Sequence, residues 1–233
     1  MKGILFLSHR LPYPPNKGDK IRSFHILKRL AKHHAVYLGS FIDDPIDWNY
    51  LKNVQKYVVD SCVLERKRIS RSVPTLLKGL LFGKPLSKLL YESPHMKMWV
   101  DGLLKSGAIS RIYVYSSVMG QYVEKVTDIP LITDFVDVDS QKWASYSLQK
   151  PIPMKWIYYL EAKRLLAFEK EVAKRSSAAI FVSNKEAEVF KQLSPEIKVD
   201  IQPIPNGVET AYFDPTLKYT NPYTEKNKKR IIF

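Results

Sequence analysis

The stretch KGILFLSHRLPYPPNKGDKIRSFHILKRL, residues 2–30, decides the fold class of this chain. Its apolar run at 4–8 predicts a buried strand, which is followed by a loop that contains three prolines and one glycine. Ile21, Phe24, Leu27 and Leu30 then recur at helical spacing, which predicts an amphipathic helix. A strand that leads through a short loop into such a helix is typical of an α/β protein.

The same alternation continues along the chain. Further β-rich runs lie at 35–41, 56–64, 111–117, 130–138, 178–183 and 198–204, with helical segments between them. Several of these runs are almost entirely apolar, as expected when helices cover both faces of a sheet. The pattern predicts a doubly wound, mostly parallel Rossmann-like sheet of about seven strands. In such sheets ligands bind beyond the carboxyl ends of the strands.

Two helical regions interrupt or extend this pattern. Residues 66–105 contain no convincing strand and predict an insert of two or three helices, broken at prolines, with basic residues beside leucines. These helices either dock on an anionic membrane surface or simply pack on the sheet with a solvated face. A second long helix is predicted from about 154 to 175, with Trp156, Tyr159, Leu165 and Phe168 among its apolar residues.

Composition limits the classes of protein to which the chain can belong. Its 233 residues are 45% hydrophobic, which excludes a disordered chain. The lone Cys62, which we place in the core, excludes a disulfide scaffold and is typical of a reducing compartment. No apolar run reaches the roughly 18–20 residues of a membrane span, and residues 2–8 lack the features of a signal peptide. We therefore expect a cytoplasmic protein.

The charge balance is strongly basic. The chain carries 37 Lys and Arg against 23 Asp and Glu, a net charge of +14. Such a surplus favours nucleic acid, an anionic membrane surface or phosphorylated small molecules as partners. The sequence contains no Cys-x2-Cys pair, RNA-binding aromatic motif or clear helix-turn-helix signature, so nucleic acid is not an expected partner.

The loop at 11–20 is the first candidate binding element. Its prolines stiffen the exit from the strand, and Gly18 allows close backbone approach or a positive φ. Asp19 is expected to cap a helix that begins near Lys20, whose free N–H groups can bind a phosphate or a sugar hydroxyl. A rigid strand-to-helix turn explains the same residues. The candidate binding residues of this segment are His9, Arg10, Lys17, Gly18, Asp19, Lys20 and Arg22.

Three aspartates in DFVDVDSQKW, residues 134–143, follow another predicted strand. Carboxylates at this edge can bind sugar hydroxyls, hold a metal or act as a base, and Asp137 and Asp139 are the catalytic candidates. Alternatively, Asp139 or Ser140 caps the next helix. No histidine lies nearby in the sequence, so we expect no metal site here.

Two later loops supply further candidates. In VSNKEAEVF, residues 182–190, Ser183 and Glu186 fit a capping box, and Ser183 is also a candidate binding residue because the strand end points to the ligand crevice. In IPNGVETAYFDP, residues 204–215, Asn206 and Gly207 predict a turn with positive φ and are candidate binding residues.

Together these segments resemble a known family. The first strand with its Pro/Gly loop, the α/β pattern, VSNKEAE and the closing IPNGVE resemble family 4 glycosyltransferases of the GT-B fold. More narrowly, SHRLPYPPNKGDKIRSFHILKRLA and DFVDVDSQKWASYS resemble the sugar transferases of PEP-CTERM/exosortase exopolysaccharide systems. The resemblance covers nearly the whole chain.

The resemblance implies a retaining transfer of a sugar from a nucleotide-sugar to a hydroxyl of a polysaccharide or lipid-linked acceptor. It implies that Gly18, Lys20 and Arg22 lie near the donor diphosphate, and that Asp137 and Asp139 lie across the cleft. It also implies that no cofactor or metal is needed besides the nucleotide-sugar itself. The protein is then expected in the cytoplasm, or peripherally on the inner face of the membrane.

The last residues lead us to expect a second domain. Residues 218–233 are polar and charged like a linker until Ile231, Ile232 and Phe233, which are typical of a new strand. By resemblance, residues 1–217 form the acceptor-side N-terminal domain, and a missing C-terminal domain binds most of the nucleotide. The chain alone is then expected to be inactive.

Two alternatives fit the same residues. One is a nucleotide-sugar epimerase of the GT-B fold, in which the aspartates after the fifth strand serve a different chemistry. The other is a non-catalytic basic module that binds polyanions or a partner subunit.

Overall fold

The computed structural model describes residues 3–66 and 83–208, together with residues 210, 214, 216 and 217. Seven parallel strands form one sheet in the order β3-β2-β1-β4-β5-β6-β7. The strands are β1 Gly3–Ser8, β2 Val36–Ile42, β3 Asp60–Glu65, β4 Ile109–Tyr115, β5 Leu131–Val136, β6 Ala178–Phe181 and β7 Asp200–Pro203. The predicted doubly wound α/β fold, with its seven strands, is confirmed.

Seven α-helices and two 3₁₀ helices connect the strands in the described part of the chain. They are α1 Gly18–Ala31, α2 Leu51–Gln55, α3 Leu86–Leu90, α4 Pro94–Lys105, α5 Asp139–Leu148, α6 Met154–Arg175 and α7 Asn184–Leu193, with 3₁₀ helices Pro45–Tyr50 and Ser117–Tyr122. The long helix predicted at 154–175 is confirmed with those bounds. The predicted insert includes α3 and α4, whereas its residues 67–82 and the expected linker at 218–233 lie outside the described residues.

The central strands are buried on both faces, which explains their continuous apolar sequences. All six residues of β1 are buried. Phe6 packs on one side of the sheet in a cluster with Leu27 of α1. Leu5 and Leu7 pack on the other side in a cluster with Met96 of α4. Cys62 is buried in that second cluster, as expected.

The bounds of the strands differ from the predicted runs by up to four residues, and the structure explains two of these differences directly. β3 begins at Asp60 because α2 and a turn, in which Tyr57 N donates to Val54 O, occupy the preceding residues. β4 ends at Tyr115 because Ser116 adopts φ 75°, which leaves the extended region. Periodicity alone cannot divide such apolar runs into strand and turn.

The strand order fixes where a ligand can bind. From β1 the chain winds outwards through β2 to β3, and then returns to β4 on the other side of β1. Helices after β1 and β4 therefore diverge, which opens a crevice at the carboxyl ends of these two strands. His9 follows β1 and Ser116 follows β4, so both lie at this edge.

Gly120 lies in close contact with α6. A Cβ on Gly120 would lie 2.8 and 2.9 Å from the two methyl carbons of the buried Val172. We expect Gly120→Ala to lower the free energy of unfolding by about 1–3 kcal/mol, because this contact cannot relax freely. Gly102→Ala in α4 is the control, since its Cβ would meet nothing within 4 Å and should stabilise the helix by up to about 1 kcal/mol. Urea unfolding of the two variants measures both effects, and a Gly120→Ala protein as stable as the unaltered protein would contradict the packing.

Candidate functional site

A crevice of about 430 Å³ lies where the strand order reverses. We call it the site crevice. Its walls come from the ends of β1, β4 and β5 and from the helices α1, α3 and α5. The residues that line it are His9, Arg10, Asp19, Ser87, Leu90, Tyr91, Ser116, Val118, Phe135, Val136, Asp137, Asp139, Lys142 and Trp143. Five of the residues predicted from sequence, His9, Arg10, Asp19, Asp137 and Asp139, thus lie together.

One wall is organised by the carboxylate of Asp19. Its Oδ2 lies 2.8 Å from the guanidinium of Arg10 and 3.5 Å from Nε2 of His9. Burial raises the pKa of Asp19, but the hydrogen bonds from His9 and Arg10 outweigh it and hold the pKa well below its usual range. Nε of Arg10 lies 2.9 Å from Asp43, so Arg10 is held between two carboxylates. Asp19 is therefore ionised and holds both neighbours in place.

The expected capping role of Asp19 is wrong. Helix α1 begins at Gly18, and the residue before it, Lys17, makes no capping hydrogen bond with its side chain. Asp19 lies in the first turn of α1 and directs its side chain to Arg10 instead. The hydroxyl of Tyr115 donates to the Asp19 carbonyl oxygen at 2.8 Å, which ties α1 to the end of β4.

The imidazole of His9 is held by aromatic rings. It stacks on Tyr115 with 5.9 Å between ring centroids and meets the edge of Tyr91 at 6.0 Å. Its Nδ1 is buried and has no hydrogen-bond partner among the described residues. Since an unpaired buried nitrogen is costly, a hydroxyl group of a bound ligand would be stabilised there.

The opposite wall begins with a strained turn at the end of β5. Val136 adopts φ 67°, and Asp137 N donates to Phe135 O at 2.9 Å, which closes a tight three-residue turn. Val136 N donates to the side chain of Asp134, which supports this conformation. A β-branched residue with positive φ is strongly disfavoured, and such strain clusters at functional sites. The turn presents Asp137 to the crevice.

Asp137 and Asp139 share one cation. Nζ of Lys142 lies 2.7 Å from Asp137 and 3.1 Å from Asp139. Burial lowers the pKa of Lys142, but the charges of Asp139 and Asp137 outweigh it and raise the pKa. Half of the Lys142 side chain remains exposed, so water screens the group and a ligand can compete for the carboxylates.

The crevice differs from the protein as a whole in its charge. Among the described residues that line it are the carboxylates of Asp19, Asp137 and Asp139 and two permanent cations, Arg10 and Lys142, each of which already contacts two carboxylates. In a chain of net charge +14 this is unexpected. Phosphate groups need uncommitted cations or N–H groups, whereas carboxylates accept hydrogen bonds from hydroxyls. The site crevice therefore suits a hydroxyl-rich ligand better than a phosphate.

Two glutamates of α6 hold the helices that form the walls. Glu161 accepts hydrogen bonds from the backbone N–H groups of Leu86 and Ser87, at 2.6 and 2.8 Å, at the start of α3. Glu169 accepts from the N–H and the hydroxyl of Ser140, at 3.2 and 2.5 Å, at the start of α5. Both glutamates are buried, and neither is among the residues predicted from the sequence. They could have been found from the sequence, because both are charged residues on the apolar stripe of the predicted helix. A buried charge needs a polar partner.

The capping predictions are confirmed in part. Ser183 accepts from Glu186 N as the N-cap of α7, as predicted. The side chain of Glu186 does not return to Ser183, because it accepts from Val138 N at 2.7 Å. Neither Asp139 nor Ser140 caps α5 with its own side chain, since the N-cap position is Val138. Helix α5 is thus capped by carboxyl groups from α6 and α7.

Lys20 and Arg22 do not face the site crevice. Nζ of Lys20 is buried 2.5 Å from Asp47, and Nε of Arg22 is buried 2.8 Å from Asp134. The expectation that they neutralise a phosphate does not match this placement, because each cation is already paired away from water. Lys17 and Gly18 are exposed at the start of α1.

Asn206 and Gly207 line a second cavity of about 510 Å³ beside α1, together with Arg22. Arg22 donates to the carbonyl oxygen of Ile204 at 2.8 Å and to Oδ1 of Asn206 at 3.2 Å. Gly207 does not adopt a positive φ, so the predicted turn is wrong. The hydrogen bonds from Arg22 hold this segment, without any need for a left-handed residue.

Comparison with known proteins identifies the fold. No family model and no curated protein matches the sequence. A crystal structure of Anabaena Alr3699/HepE in complex with UDP and glucose aligns over 91% of this chain and 46% of its own, with 16% identity and a TM-score of 0.52. Glycyrrhiza uralensis UGT73P12, complexed with glycyrrhetinic acid 3-O-monoglucuronide, aligns over 88% and 49%, with 10% identity and a TM-score of 0.47.

The fold that this chain shares with HepE agrees with the fold class expected from the sequence. The chain spans about half the length of these solved structures. At such low identities the likeness concerns the fold. The narrower assignments, to family 4 and to a PEP-CTERM system, stay predictions.

The buried Glu169 makes stability depend on pH. Burial raises its pKa from 4.5 to about 8, although hydrogen bonds from Ser140 oppose this shift. The unfolded chain therefore loses this proton near its ordinary pKa, whereas the folded protein keeps it until about pH 8. Stability should fall as the pH rises between these values, by roughly 4–5 kcal/mol at most, and should not fall further above them.

Glu169→Gln should abolish this fall, because the amide stays neutral in both states and keeps a hydrogen-bonding partner for Ser140. Urea unfolding at about pH 5 and about pH 8 measures the effect. The control is Glu188→Gln, which removes an exposed carboxyl group from α7. An equal loss of stability with pH in the unaltered protein and in Glu169→Gln would show that Glu169 is ionised in the folded state.

Proposed function

We propose that this chain is the acceptor-side part of a GT-B glycosyltransferase, which transfers a sugar from a nucleotide-sugar to a hydroxyl group of a polysaccharide or lipid-linked acceptor. The observation that carries the proposal is the carboxylate-rich site crevice at the switch point of the sheet. The fold shared with HepE, whose crystal structure contains UDP and glucose, supports it. Retention of configuration, a role in exopolysaccharide synthesis and family 4 membership are part of the proposal on the strength of the sequence resemblance.

The crevice has the two kinds of surface that a sugar needs. Asp137 and Asp139 offer carboxylate oxygens to hydroxyl groups at one wall. Tyr91 and Trp143 offer apolar ring surface to the carbon skeleton of a sugar. In this proposal the two aspartates orient the acceptor hydroxyl, and the strained turn at Val136 fixes their position.

His9 is proposed as the third contact. Asp19 and the two aromatic rings hold its imidazole, and the buried Nδ1 has no partner among the described residues. A sugar hydroxyl could donate to or accept from this ring, depending on which nitrogen carries the proton. Arg10 then acts as a positioning residue, because both ends of its guanidinium are held by Asp19 and Asp43.

The diphosphate of the donor would lie outside the carboxylate-rich walls. The exposed start of α1, with Lys17 and Gly18, is the proposed contact in this chain, because the first N–H groups of a helix bind anions. Since the chain spans about half of its structural neighbours, the other contacts to the nucleotide are proposed to come from a second domain. Ser183 keeps a proposed binding role near the site crevice. Asn206 and Gly207 line the second cavity instead, so their proposed role is limited to parts of the donor that lie outside the crevice. No metal or further cofactor is invoked.

The proposal is tested by sugar transfer from a panel of radiolabelled nucleotide-sugars, using the product of the complete reading frame. Asp137→Asn, Asp139→Asn and His9→Asn should each lower kcat by about 10²–10³, because each removes an oriented polar contact in the transition state. The melting temperatures of Asp137→Asn and Asp139→Asn should stay unchanged, since both side chains are partly exposed in the crevice. His9→Asn removes a ring that stacks on Tyr115, so its kcat is compared only at temperatures where circular dichroism shows that the variant is folded.

The matched controls are Asp128→Asn and His33→Asn, which make the same changes at exposed positions. If the crevice variants reduce transfer activity no more than the controls do, the crevice is excluded as the site. Conversion of the nucleotide-sugar to its epimer without transfer would replace the proposal by the epimerase alternative.

A further inference from the structure

The helical hairpin formed by α5 and α6 carries an exposed apolar tip. Its residues 148–156, with the sequence LQKPIPMKW, are all exposed to solvent. Leu148, Ile152 and Trp156 are 79%, 72% and 60% exposed. Tyr146 and Tyr159, two and three residues further from the tip along their helices, are also exposed. Single apolar side chains on a surface need no explanation, but a contiguous group of this size marks an interaction site.

The hairpin tip projects beyond the sheet. Helix α6 has 22 residues and is about 33 Å long, whereas a six-residue strand such as β5 covers only about 20 Å. The end of α6 is fixed at the amino edge of the sheet, because Ser177 N donates to Leu131 O at the start of β5. The first turns of α6 therefore extend past the carboxyl edge, on the side where the site crevice opens. This is why Trp156 and Tyr159 find no core to pack against.

The tip is also basic. Lys150, Lys155 and Lys163 are exposed, and none of them has a carboxylate partner among the described residues. Between residues 141 and 164 the single acidic residue is Glu161, which is buried against the start of α3. The surface that surrounds the apolar tip is therefore positively charged.

The helical insert is a weaker candidate for the same role. In its described part, Lys84, Lys88 and Lys97 each pair with a carboxylate, so their charges are locally balanced. Of the large apolar side chains on α3 and α4, only Met98 is prominently exposed. The expectation that the insert docks on a membrane thus finds less support in these residues than the hairpin provides.

We infer that the tip of the α5–α6 hairpin is a docking surface for an anionic lipid bilayer. An apolar group of Leu, Ile, Met and Trp surrounded by lysines is the composition that inserts into the interface between head groups and acyl chains. The lysines attract anionic lipid, and this contribution is weakened by salt. In the described residues no helix has both the length and the apolar content to cross a bilayer, so the contact is interfacial.

This surface would bring a lipid-linked acceptor to the site. Trp143 lies in the crevice wall and its ring contacts Tyr158 of α6, so the hairpin forms part of both surfaces. The base of α5, at Asp139, is about 15 Å along the helix from its tip. A head group that rises from a bilayer at the tip would thus reach Asp137 and Asp139. This last step rests on the proposed function, whereas the docking surface does not.

Flotation with vesicles tests the inference without any sugar present. The unaltered protein should bind phosphatidylcholine vesicles that contain phosphatidylglycerol, should bind pure phosphatidylcholine far less, and should lose binding in high salt. The triple variant Leu148→Ser, Ile152→Ser, Trp156→Ser should bind at least about tenfold more weakly. The control triple variant Ile46→Ser, Val59→Ser, Met98→Ser changes side chains of similar exposure elsewhere and should bind normally.

Charge reversal gives a second, independent comparison. Lys150→Glu with Lys155→Glu should also weaken binding, whereas Lys52→Glu with Lys56→Glu alters the net charge equally at exposed sites in and beside α2 and should have a smaller effect. Brominated acyl chains should quench tryptophan fluorescence in the unaltered protein, and Trp156→Phe should remove that quenching. Circular dichroism should show that all variants are folded.

Three results would overturn the inference. The first is equal binding to neutral and anionic vesicles, and the second is normal binding by the hairpin triple variant. The third is an unaltered protein that binds no lipid and forms a dimer, together with a hairpin triple variant that is a monomer. The tip would then contact a second copy of the chain. Vesicle binding, combined with no sugar transfer by the product of the complete reading frame, would refute the proposed function and leave the docking surface standing.

Discussion

The buried glutamates of α6 are the constraint on which the site depends. A helix begins with N–H groups that have no partner in the helix, and it is stabilised by an oxygen placed at that end. Glu161 supplies this oxygen to α3, and Glu169 supplies it to α5. Because both glutamates lie on one rigid helix, the spacing between the two walls of the site crevice is set by α6 rather than by loops. The same helix then continues to the exposed tip of the hairpin.

A second buried contact explains why a basic protein has an acidic crevice. Arg22 joins α1 to Asp134 of β5 and to the backbone and side chain of residues 204–206. Lys20 joins α1 to Asp47 in the 3₁₀ helix Pro45–Tyr50. Two cations at the start of the basic helix thus hold the fold together. The carboxylates after β5 are paired with the half-exposed Lys142, for which a ligand can compete. Removing one partner of such a pair would leave an uncompensated buried charge.

Much of the fold could be predicted from the sequence, because strands buried on both faces and helices with an apolar stripe have distinct patterns. The seven strands, α6 and the cap at Ser183 followed in this way. The partners of charged residues could not be predicted, since Arg22 and Asp134 are 112 residues apart and only the fold brings them together. Periodicity also could not show that the apolar stripe of α6 extends beyond the edge of the sheet. Trp156 is exposed for this reason.

The approximate position of the candidate site could also be predicted from the sequence pattern. Residues that follow parallel strands meet at one edge, so His9 and Asp137 could be placed near each other from strand order alone. The chemistry of these residues could not be predicted from the sequence, because it depends on which cations are already paired with carboxylates. Asp19 appears in the sequence as a helix cap, yet in three dimensions it is the carboxylate that holds His9 and Arg10. Because Arg10 is already paired with carboxylates, the site suits a hydroxyl-rich ligand and not the phosphate expected from the sequence.

The most direct test is a crystal structure of the complete reading-frame product with the nucleotide-sugar that it turns over and an acceptor analogue. The account predicts a sugar ring in the site crevice, with hydroxyl oxygens within hydrogen-bond distance of Asp137 or Asp139 and of His9. A sugar bound in the second cavity beside Arg22 and Asn206, with the site crevice empty, would contradict it.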